Sequence, residues 1–253
     1  TGYDSFDQAY KLPNKITDST MEHINRITDD KGIVRSVYHT VPDFKSGYLL
    51  EDNSRALLAA TMLWHETGKQ PASVPTYLNF INQMQSENGT FKKSMNHNGS
   101  FSYSDCSESA FGMTLWALGY LIRQSAVREY KEIAEEIFNK AINHVGNLKT
   151  MNGIAGSVIG ICYYLKTDAI NRVLLKHLNN LTSVLKYRYE NNKSHEWRWI
   201  KPILSNDNAV IPLALMHASE YSANRQNVRI ALEMVNFLSR STLSKGYLSL
   251  FMN

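Results

Sequence analysis

Two kinds of helical segment alternate along this chain. Four segments are apolar on nearly every side, which is typical of buried helices, and they cover residues 54–66, 109–122, 154–165 and 210–221. Amphipathic segments with one polar face lie before, between and after them, at residues 19–28, 74–86, 127–148, 169–189 and 227–241. The alternation predicts two layers, in which amphipathic helices lie outside and apolar helices are packed within.

Short turns that contain a glycine mark the joints of this pattern. They follow amphipathic segments at Lys31-Gly32-Ile33, Asn88-Gly89-Thr90-Phe91, Asn152-Gly153-Ile154 and Lys245-Gly246-Tyr247. Glycine readily takes the left-handed conformation that ends many helices, so each turn predicts a helix end. The spacing of about 50–60 residues, with one joint lacking the glycine, indicates a repeated unit.

The repeat predicts an all-α fold of repeated helical hairpins. We expect an α/α toroid, in which the N-termini of the inner helices surround a common funnel. Because four inner helices are complete and a fifth outer helix ends near residue 241, the toroid is expected to be an incomplete (α/α)6-type barrel. We treat residues 1–253 as a single domain, truncated at the C-terminus. An open solenoid of stacked hairpins is the alternative architecture.

Composition narrows the classes of function. Hydrophobic residues make up 43% of the 253 positions and aromatic residues 11%, which is enough for a packed core. The net charge is +4, but the basic residues are scattered, so we predict no nucleic-acid partner. No apolar stretch reaches about 18 residues, so we predict no membrane span. The residues alone leave the localisation open.

Nothing in the sequence predicts a metal ion or a cofactor. The two cysteines, Cys106 and Cys162, lie in apolar stretches that are predicted to be helical, and we expect both to be buried thiols. The sequence has no CxxC or HExxH spacing and no Cys/Cys/His set. It also lacks the DDxxD motif of isoprenoid enzymes. A toroid acting on isoprenoid or peptide substrates is therefore the least favoured hypothesis.

Polar residues cluster where three of the inner helices begin. The segments are Glu51-Asp52-Asn53-Ser54-Arg55, Ser104-Asp105-Cys106-Ser107-Glu108 and Ser205-Asn206-Asp207-Asn208. Helix capping explains one such residue at each helix. It does not explain why acidic, amide and hydroxyl groups occur together on helices that a toroid aims at one place. Convergent polar groups above an apolar floor instead predict a ligand site.

Aromatic residues crowd the loops before these helices. Tyr48 and the nearby Asp43 precede the first inner helix, and Trp197 and Trp199 precede the fourth. Aromatic faces beside carboxylates and amides suit sugar rings, which offer both C–H faces and hydroxyl groups. Ordinary packing of the loops is the alternative explanation. The combination predicts a carbohydrate or glycan ligand.

At these residues the chain resembles a bacterial family of α/α-toroid proteins that occur alone or fused to glycosyltransferases. Four segments carry the likeness, and they are residues 28–57, Ser107-Glu108 with Gly112 and Leu115-Trp116-Ala117-Leu118-Gly119, Trp197-Arg198-Trp199, and Asp207-Asn208-Ala209 with Pro212-Leu213-Ala214-Leu215. The family is similar in architecture to six-hairpin glycosidases and terpenoid-cyclase-like toroids. The resemblance implies a glycan ligand, a glycosyltransferase partner and a bacterial protein, for which the cytoplasm is the favoured location.

The chain departs from the family pattern at one place. The family tends to carry an acidic residue just after the Trp-x-Trp segment, where this chain has Ile200-Lys201-Pro202. If that acid is catalytic in other members, this chain binds a glycan without turning it over. The departure and the early end of the chain favour a non-catalytic domain that binds a glycan or a partner enzyme.

The leading hypothesis is a glycoside hydrolase that uses paired carboxylates in the central funnel. Inverting hydrolysis requires two carboxyl groups roughly 6.5–9.5 Å apart. We assign Asp52 as the base and Glu108 as the acid, with Asp105 and Asp207 as substitutes. Arg55 and Asn208 are expected to bind hydroxyl groups, and the rings to stack on sugars. The predicted substrate-binding residues are Asp43, Tyr48, Asn53, Arg55, Trp197, Trp199 and Asn208.

Overall fold

The computed structural model describes residues 18–39, 41–222 and 225–243, and helices dominate it. These are α1 (Asp18–Arg26), α2 (Leu50–Thr67), α3 (Val74–Met84), α4 (Glu108–Gln124), α5 (Arg128–Ala141), α6 (Met151–Leu165), α7 (Arg172–Asn192), α8 (Val210–Ser219) and α9 (Gln226–Thr242). The strands are β1 (Val34–Tyr38), β2 (Val41–Leu49) and β3 (Ser94–Met95). A 3₁₀ turn (Ile142–Asn147) follows α5.

The helices form two layers, as the alternation of apolar and amphipathic segments predicts. The inner helices α2, α4, α6 and α8 contact one another in chain order, and α3, α5, α7 and α9 pack on their outer sides. Helix α6 is buried along almost its whole length. Helix α5 buries only four residues, which lie on one face. Burial of the apolar surface between these layers is the main force that holds the fold together.

The inner helices curve into a toroid and do not form an open line. Arg55 in α2 donates a hydrogen bond to Asp207, which lies just before α8. In a linear stack of hairpins each repeat contacts only its neighbours, so the first and last inner helices would lie far apart. The contact therefore supports the predicted toroid against the solenoid.

Helices α4 and α6 touch through their backbones. Gly112 lies against Gly153, and Gly119 lies against Gly160. A Cβ atom on Gly119 would lie 2.2 Å from the carbonyl oxygen of Gly160, which is far inside van der Waals contact. These glycines are therefore required by the close approach of two inner helices.

The predicted glycine joints are correct only in part. Gly153 lies inside α6, which begins at Met151, so it does not end the preceding helix. Gly89 has a φ of +93° but closes a turn after α3 has already ended at Met84. Gly32 is near-extended, with a φ of 159°. The joint at Gly246 lies outside the described residues.

A small antiparallel sheet, in the order β1-β2-β3, is an addition to the all-helical prediction. The residues of β2 do not alternate between buried and exposed positions, which is the period of two that marks a half-buried strand. The sequence therefore gives little sign of this sheet. Strand β2 runs without a break into α2, so the hairpin fixes where α2 begins. That start is four residues earlier than the predicted one, and it includes Glu51 and Asp52.

The two cysteines are free thiols. Cys162 is fully buried in α6, as predicted. Cys106 is half-buried and lies in the loop before α4, which corrects its assignment to a helix. Burial raises the pKa of the Cys106 thiol to about 12, with a further contribution from Asp105. This thiol is therefore protonated at neutral pH and is a poor nucleophile.

Candidate functional site

A polar cluster lies at the N-terminal ends of α2 and α8. Its centre is Arg55, whose Nη2 donates to Glu51 Oε1 at 2.9 Å and to Asp207 Oδ2 at 2.8 Å. Glu51 is one helical turn before Arg55, so the two side chains share a face of α2. The structure therefore brings together Asp207 and the start of α2, as the sequence predicts, and uses Arg55 to do it.

Asp52 is the one carboxylate of this cluster that no described residue engages through a hydrogen bond. It is half-buried, and this burial raises its pKa; the charge of Glu51 raises the pKa further, while Arg55 and Arg35 oppose the rise. The backbone N–H of Leu50, which begins α2, bonds the carbonyl of Lys93, and no side chain caps the helix. Helix capping therefore does not account for Asp52.

The loop before α8 holds Asp207 in an unusual backbone conformation. Its φ is +55°, a left-handed value that aspartate and asparagine tolerate better than most residues. Asn208 supports the turn, because its Oδ1 accepts a hydrogen bond from the Ser205 N–H at 3.1 Å. Asn208 thus has a defined role within the loop. Strained backbone of this kind is concentrated at functional sites.

Lys201 connects this cluster to a neighbouring cleft. Its Nζ donates to Asn152 Oδ1 at 2.9 Å and to Ser205 Oγ at 3.1 Å. Burial lowers the pKa of Lys201, and the charge of Asp207 opposes that change. The position at which the chain departs from the family pattern is therefore occupied by a half-buried cation beside the candidate site.

The cleft has a volume of about 550 Å³ and opens at the N-terminal ends of α4 and α6. Its walls come from these helix ends, from the C-terminal end of α7 and from the loop before α8. The residues that line it are Ser109, Lys149, Thr150, Met151, Asn152, Arg188, Asn192, Ile200, Lys201, Pro202, Ser205 and Asn206. Amide, hydroxyl and apolar groups therefore line one cavity of the size that small-molecule ligands occupy.

Glu108 and Asp105 belong to a different cavity. Both line a smaller hollow of about 270 Å³, together with Cys106 and His144. Ser107 caps α4, so the Glu108 carboxylate is not needed as the cap. It contacts the start of the next inner helix, α6, instead. Glu108 Oε2 accepts hydrogen bonds from the N–H groups of Thr150 at 2.6 Å and Lys149 at 2.9 Å.

The surroundings of Glu108 favour its charged form. Partial burial acts to raise its pKa, but the hydrogen bonds from Thr150 and Lys149 outweigh burial and hold the pKa below its usual range. A carboxyl group with a lowered pKa is a weak proton donor at neutral pH. This environment does not suit the role of acid that the sequence assigns to Glu108.

Three predicted ligand residues are held in internal contacts. Tyr48 is 1% exposed, and its hydroxyl donates to Asp29 Oδ2 at 2.5 Å. Asn53 is fully buried, accepts from the Ile33 N–H at 2.9 Å and donates to the Leu49 carbonyl at 2.9 Å. Trp199 is fully buried. None of them offers a free face to a ligand.

Trp197, Trp199 and Asp43 are likewise engaged in contacts within the protein. The rings of Trp197 and Trp199 both pack against Phe237 of α9, with centroids 4.9 and 6.4 Å away. Asp43 lies on the exposed hairpin, where its Oδ1 accepts from the Lys45 N–H at 3.1 Å. Loop packing, the alternative explanation, accounts for these contacts.

Several residues of the site are absent from the sequence-based prediction. They are Arg35, Lys149, Arg188 and Asn152; Glu51 appears there only as part of a polar segment, and Lys201 only as a departure from the family pattern. Glu51 and Arg55 are four residues apart, which is a helix-face signal visible in the sequence. The predicted outer helix at residues 169–189 places Arg188 near its end, but no sequence signal brings Arg188 into the same cavity as Lys149.

Two kinds of feature are not found among residues 18–39, 41–222 and 225–243. No group of three or more His, Cys, Asp or Glu side chains is arranged to hold a metal ion there. No helix in those ranges combines the length and the hydropathy that crossing a membrane requires.

Helical hairpins in two layers, with a polar cluster where the inner helices begin, define the chain as an α/α toroid. No protein-family model matches the sequence, and no curated protein matches it. Solved structures do match. A sugar epimerase from a ruminal bacterium aligns with a TM-score of 0.74 and 15% identity, over 92% of this chain and 72% of that chain.

Two further structures have the same fold. Cellobiose 2-epimerase from Bacillus thermoamylovorans B4167 has a TM-score of 0.71 and 13% identity, over 90% of this chain and 71% of its own. Cellobiose 2-epimerase from Spirochaeta thermophila DSM 6192 has values of 0.65 and 14%, over 88% and 67%. The predicted likeness to toroids of the six-hairpin type is thereby confirmed for the fold. None of the three is a glycosyltransferase, so that partnership stays a prediction.

Proposed function

We propose that this protein is a carbohydrate-active enzyme that moves a proton with the carboxyl group of Asp52. The observation that carries the proposal is the state of this side chain, which is half-buried, has a raised pKa and forms no hydrogen bond with the described residues. A carboxyl group whose pKa is moved toward neutrality is suited to acid–base catalysis.

A carbohydrate is the ligand that best fits the surroundings of Asp52. The adjoining cleft presents amide and hydroxyl groups from Asn152, Asn192, Ser109 and Ser205, which are the partners that sugar hydroxyls need. The three similar structures, each of which covers about nine-tenths of this chain, are all named as sugar epimerases. Those names support a sugar as the ligand class.

The charges around Asp52 favour epimerisation over hydrolysis. Arg55 and Arg35 act on Asp52 as cations, and Glu51 acts as an anion. Removal of a proton from the carbon next to a sugar carbonyl leaves the electron pair on the carbonyl oxygen, and nearby cations stabilise that negative charge. Hydrolysis instead builds positive charge on the sugar ring, which Arg35 disfavours; Arg55 contributes less, because it is paired with Glu51 and Asp207.

The proposed reaction is a two-step proton transfer. Asp52, as the carboxylate, takes a proton from the carbon adjacent to the carbonyl of the open-chain sugar, and an enediolate forms. The enediolate then rotates so that its other face is turned toward Asp52, and return of the proton from the Asp52 carboxylic acid to that face gives the epimer and restores the carboxylate. No bond between sugar units is broken, and no oxidant or reductant is consumed.

Glycoside hydrolysis is the second candidate, because two carboxylates lie side by side in this cluster. Glu51 is paired with Arg55, whereas the pKa of Asp52 is raised partly by Glu51. The ion-paired carboxylate would then serve as the base, and Asp52, whose pKa is raised, would hold the proton. Asp52 would then be the acid, which reverses the role that the sequence-based hypothesis gives it.

Incubation with reducing mono- and disaccharides in D₂O tests these possibilities by NMR. Epimerisation predicts deuterium at the carbon next to the carbonyl and a new epimer, whereas hydrolysis predicts release of monosaccharide without deuterium on carbon. We expect Asp52→Asn to abolish the reaction and Asp168→Asn to leave it unchanged. Asp168 lies beyond the other end of α6. Binding of a sugar without either reaction would support the non-catalytic alternative.

A further inference from the structure

The cleft beside the polar cluster is positively charged. Three cationic residues line it, namely Lys149, Arg188 and Lys201, and no carboxylate is present among the described residues that line it. None of the three forms an ion pair with a residue that the structure describes. Some other cations differ in this respect; Arg229, for example, pairs with both Glu190 and Glu233.

Lys201 shows that the cationic cleft carries an unfavourable desolvation free energy when no ligand is bound. Its ammonium group is half-buried, and its two hydrogen-bond acceptors, Asn152 and Ser205, are neutral. Moving a cation away from water is unfavourable unless an opposing charge offsets it, and Asp207, which acts on Lys201 through space, forms no ion pair with it. An anion that entered the cleft would offset this cost and would also meet Lys149 and Arg188.

We infer that the cleft binds the anionic group of a saccharide, namely the carboxylate of a uronic acid or the phosphate of a sugar phosphate. The inference rests on the proposed function for the choice of a saccharide. The cationic residues supply the attraction for the negative charge. Met151, Ile200 and Pro202 supply apolar surface for the ring.

The three cations come from separate elements, so the cleft is a product of the tertiary structure. Lys149 lies two residues before α6, Arg188 lies in the last turns of α7, and Lys201 lies in the loop before α8. Guanidinium and ammonium groups that approach from different sides can surround a carboxylate or a phosphate. A neutral sugar gains nothing from this arrangement beyond ordinary hydrogen bonds.

Isothermal titration calorimetry with matched ligands tests the inference. The panel is galactose against galacturonate, glucose against glucuronate, and glucose against glucose 6-phosphate, with inorganic phosphate alone as a further ligand. We expect at least one anionic sugar to bind about tenfold more tightly than its neutral counterpart, since a hydrogen bond to a charged group is worth about that factor. Added salt is expected to reduce the difference.

Two matched variants of α7 locate the effect. Arg188→Gln removes a cation of the cleft, and Arg172→Gln removes a cation at the other end of the same helix, about 24 Å away. Both side chains are exposed, so neither change should disturb folding. We expect Arg188→Gln to weaken binding of the anionic sugar about tenfold without affecting the neutral sugar. Arg172→Gln should bind both as the wild type does.

Three results would overturn the inference. The first is equal affinity for the neutral and anionic sugars, or no binding of any sugar at millimolar concentration. The second is an unchanged affinity in Arg188→Gln. The third is inorganic phosphate binding as tightly as glucose 6-phosphate, which would make the cleft a general anion site. Comparison of the uronates with glucose 6-phosphate shows whether the cleft binds the carboxylate of a uronic acid or the phosphate of a sugar phosphate.

The proposed function and this inference fail in different ways. Asp52→Asn should retain the preference for the anionic sugar, because Asp52 does not line the cleft. If that preference is measured but no deuterium exchange or hydrolysis occurs, the cleft assignment stands and the catalytic proposal falls. If exchange occurs on neutral sugars alone, the catalytic proposal stands and the cleft assignment falls.

Discussion

Arg55 Nη2 lies 2.8 Å from Asp207 Oδ2, although the two residues are 152 positions apart in the chain. This contact joins the first inner helix to the loop that precedes the last. Arg55 bonds Glu51 at the same time, so one guanidinium group organises both carboxylates and leaves Asp52 free. The geometry of the candidate site therefore depends on a single bridging cation.

The Arg55–Asp207 pair should contribute little to stability. Both side chains are substantially exposed, at 44% and 40%, and exposed ion pairs are typically worth about 0.2–1 kcal/mol. A double-mutant cycle with Arg55→Gln and Asp207→Asn, followed by urea unfolding, should give a coupling energy in that range that falls with added salt. A coupling above about 2 kcal/mol would show that the bridge holds the toroid together.

Asp52→Asn should stabilise the protein at neutral pH. Because the folded-state pKa of Asp52 lies above its ordinary value of 3.8, the folded state holds its proton more tightly than the unfolded state does. Stability contributed by this group is then lost as pH rises between those two values. We expect a gain below about 1 kcal/mol at pH 7 and none below pH 3.8, measured by thermal unfolding across pH.

Glu108→Gln should have the opposite effect on stability. The folded-state pKa of Glu108 lies below its ordinary value of 4.5, so its contribution is present above that value and is lost as pH falls through the folded-state pKa. We expect a loss of about 0.5–1.5 kcal/mol at pH 7, because its bonds to the N–H groups of Lys149 and Thr150 become neutral. Glu129→Gln, at an exposed position of α5, is the control. Equal effects of the two substitutions would refute the assigned role.

Gly119→Ala should be strongly destabilising. The added methyl carbon would lie 2.2 Å from the carbonyl oxygen of Gly160, and the two inner helices would have to separate. Overpacking of this kind costs about 1–3 kcal/mol or more, which circular dichroism during urea unfolding can measure. Gly146→Ala is the matched control, since no heavy atom lies within 4 Å of its added Cβ. If both variants unfold alike, the backbone contact between α4 and α6 does not limit packing.

The hairpin before α2 shows why part of the fold could not be predicted from the sequence. The alternation of residues that defines a strand is weak in β2. Its partner β1 is adjacent in the chain, but its other partner, β3, pairs with it through Met95 and is distant in the chain. Helical segments, by contrast, carry their periodicity within a single stretch. The inner and outer helices were therefore predictable, whereas the sheet that sets the start of α2 was not.

The candidate site, too, was predictable from the sequence only in part. The polar residues at the helix starts were visible in the sequence, and Asp52, Arg55 and Asp207 do lie in one cluster. The sequence predicts that the rings of Tyr48 and Trp199 stack on a sugar, but both residues are buried. Burial of an aromatic residue depends on its neighbours in space, which the sequence does not show. Glu108 was chosen as an acid, yet the N–H groups at the start of α6 lower its pKa.

The sequence by itself determined the kinds of helix, their order and the polar character of the helix starts, because these features are local and repeat with the period of a helix. Only the tertiary structure decided which polar residues share a site. Arg55 meets Asp207, and Lys149 approaches Arg188 and Lys201, because the toroid curves and carries distant helix ends together. Charge and burial act through space, so residues of the same type acquire different roles according to where the fold places them.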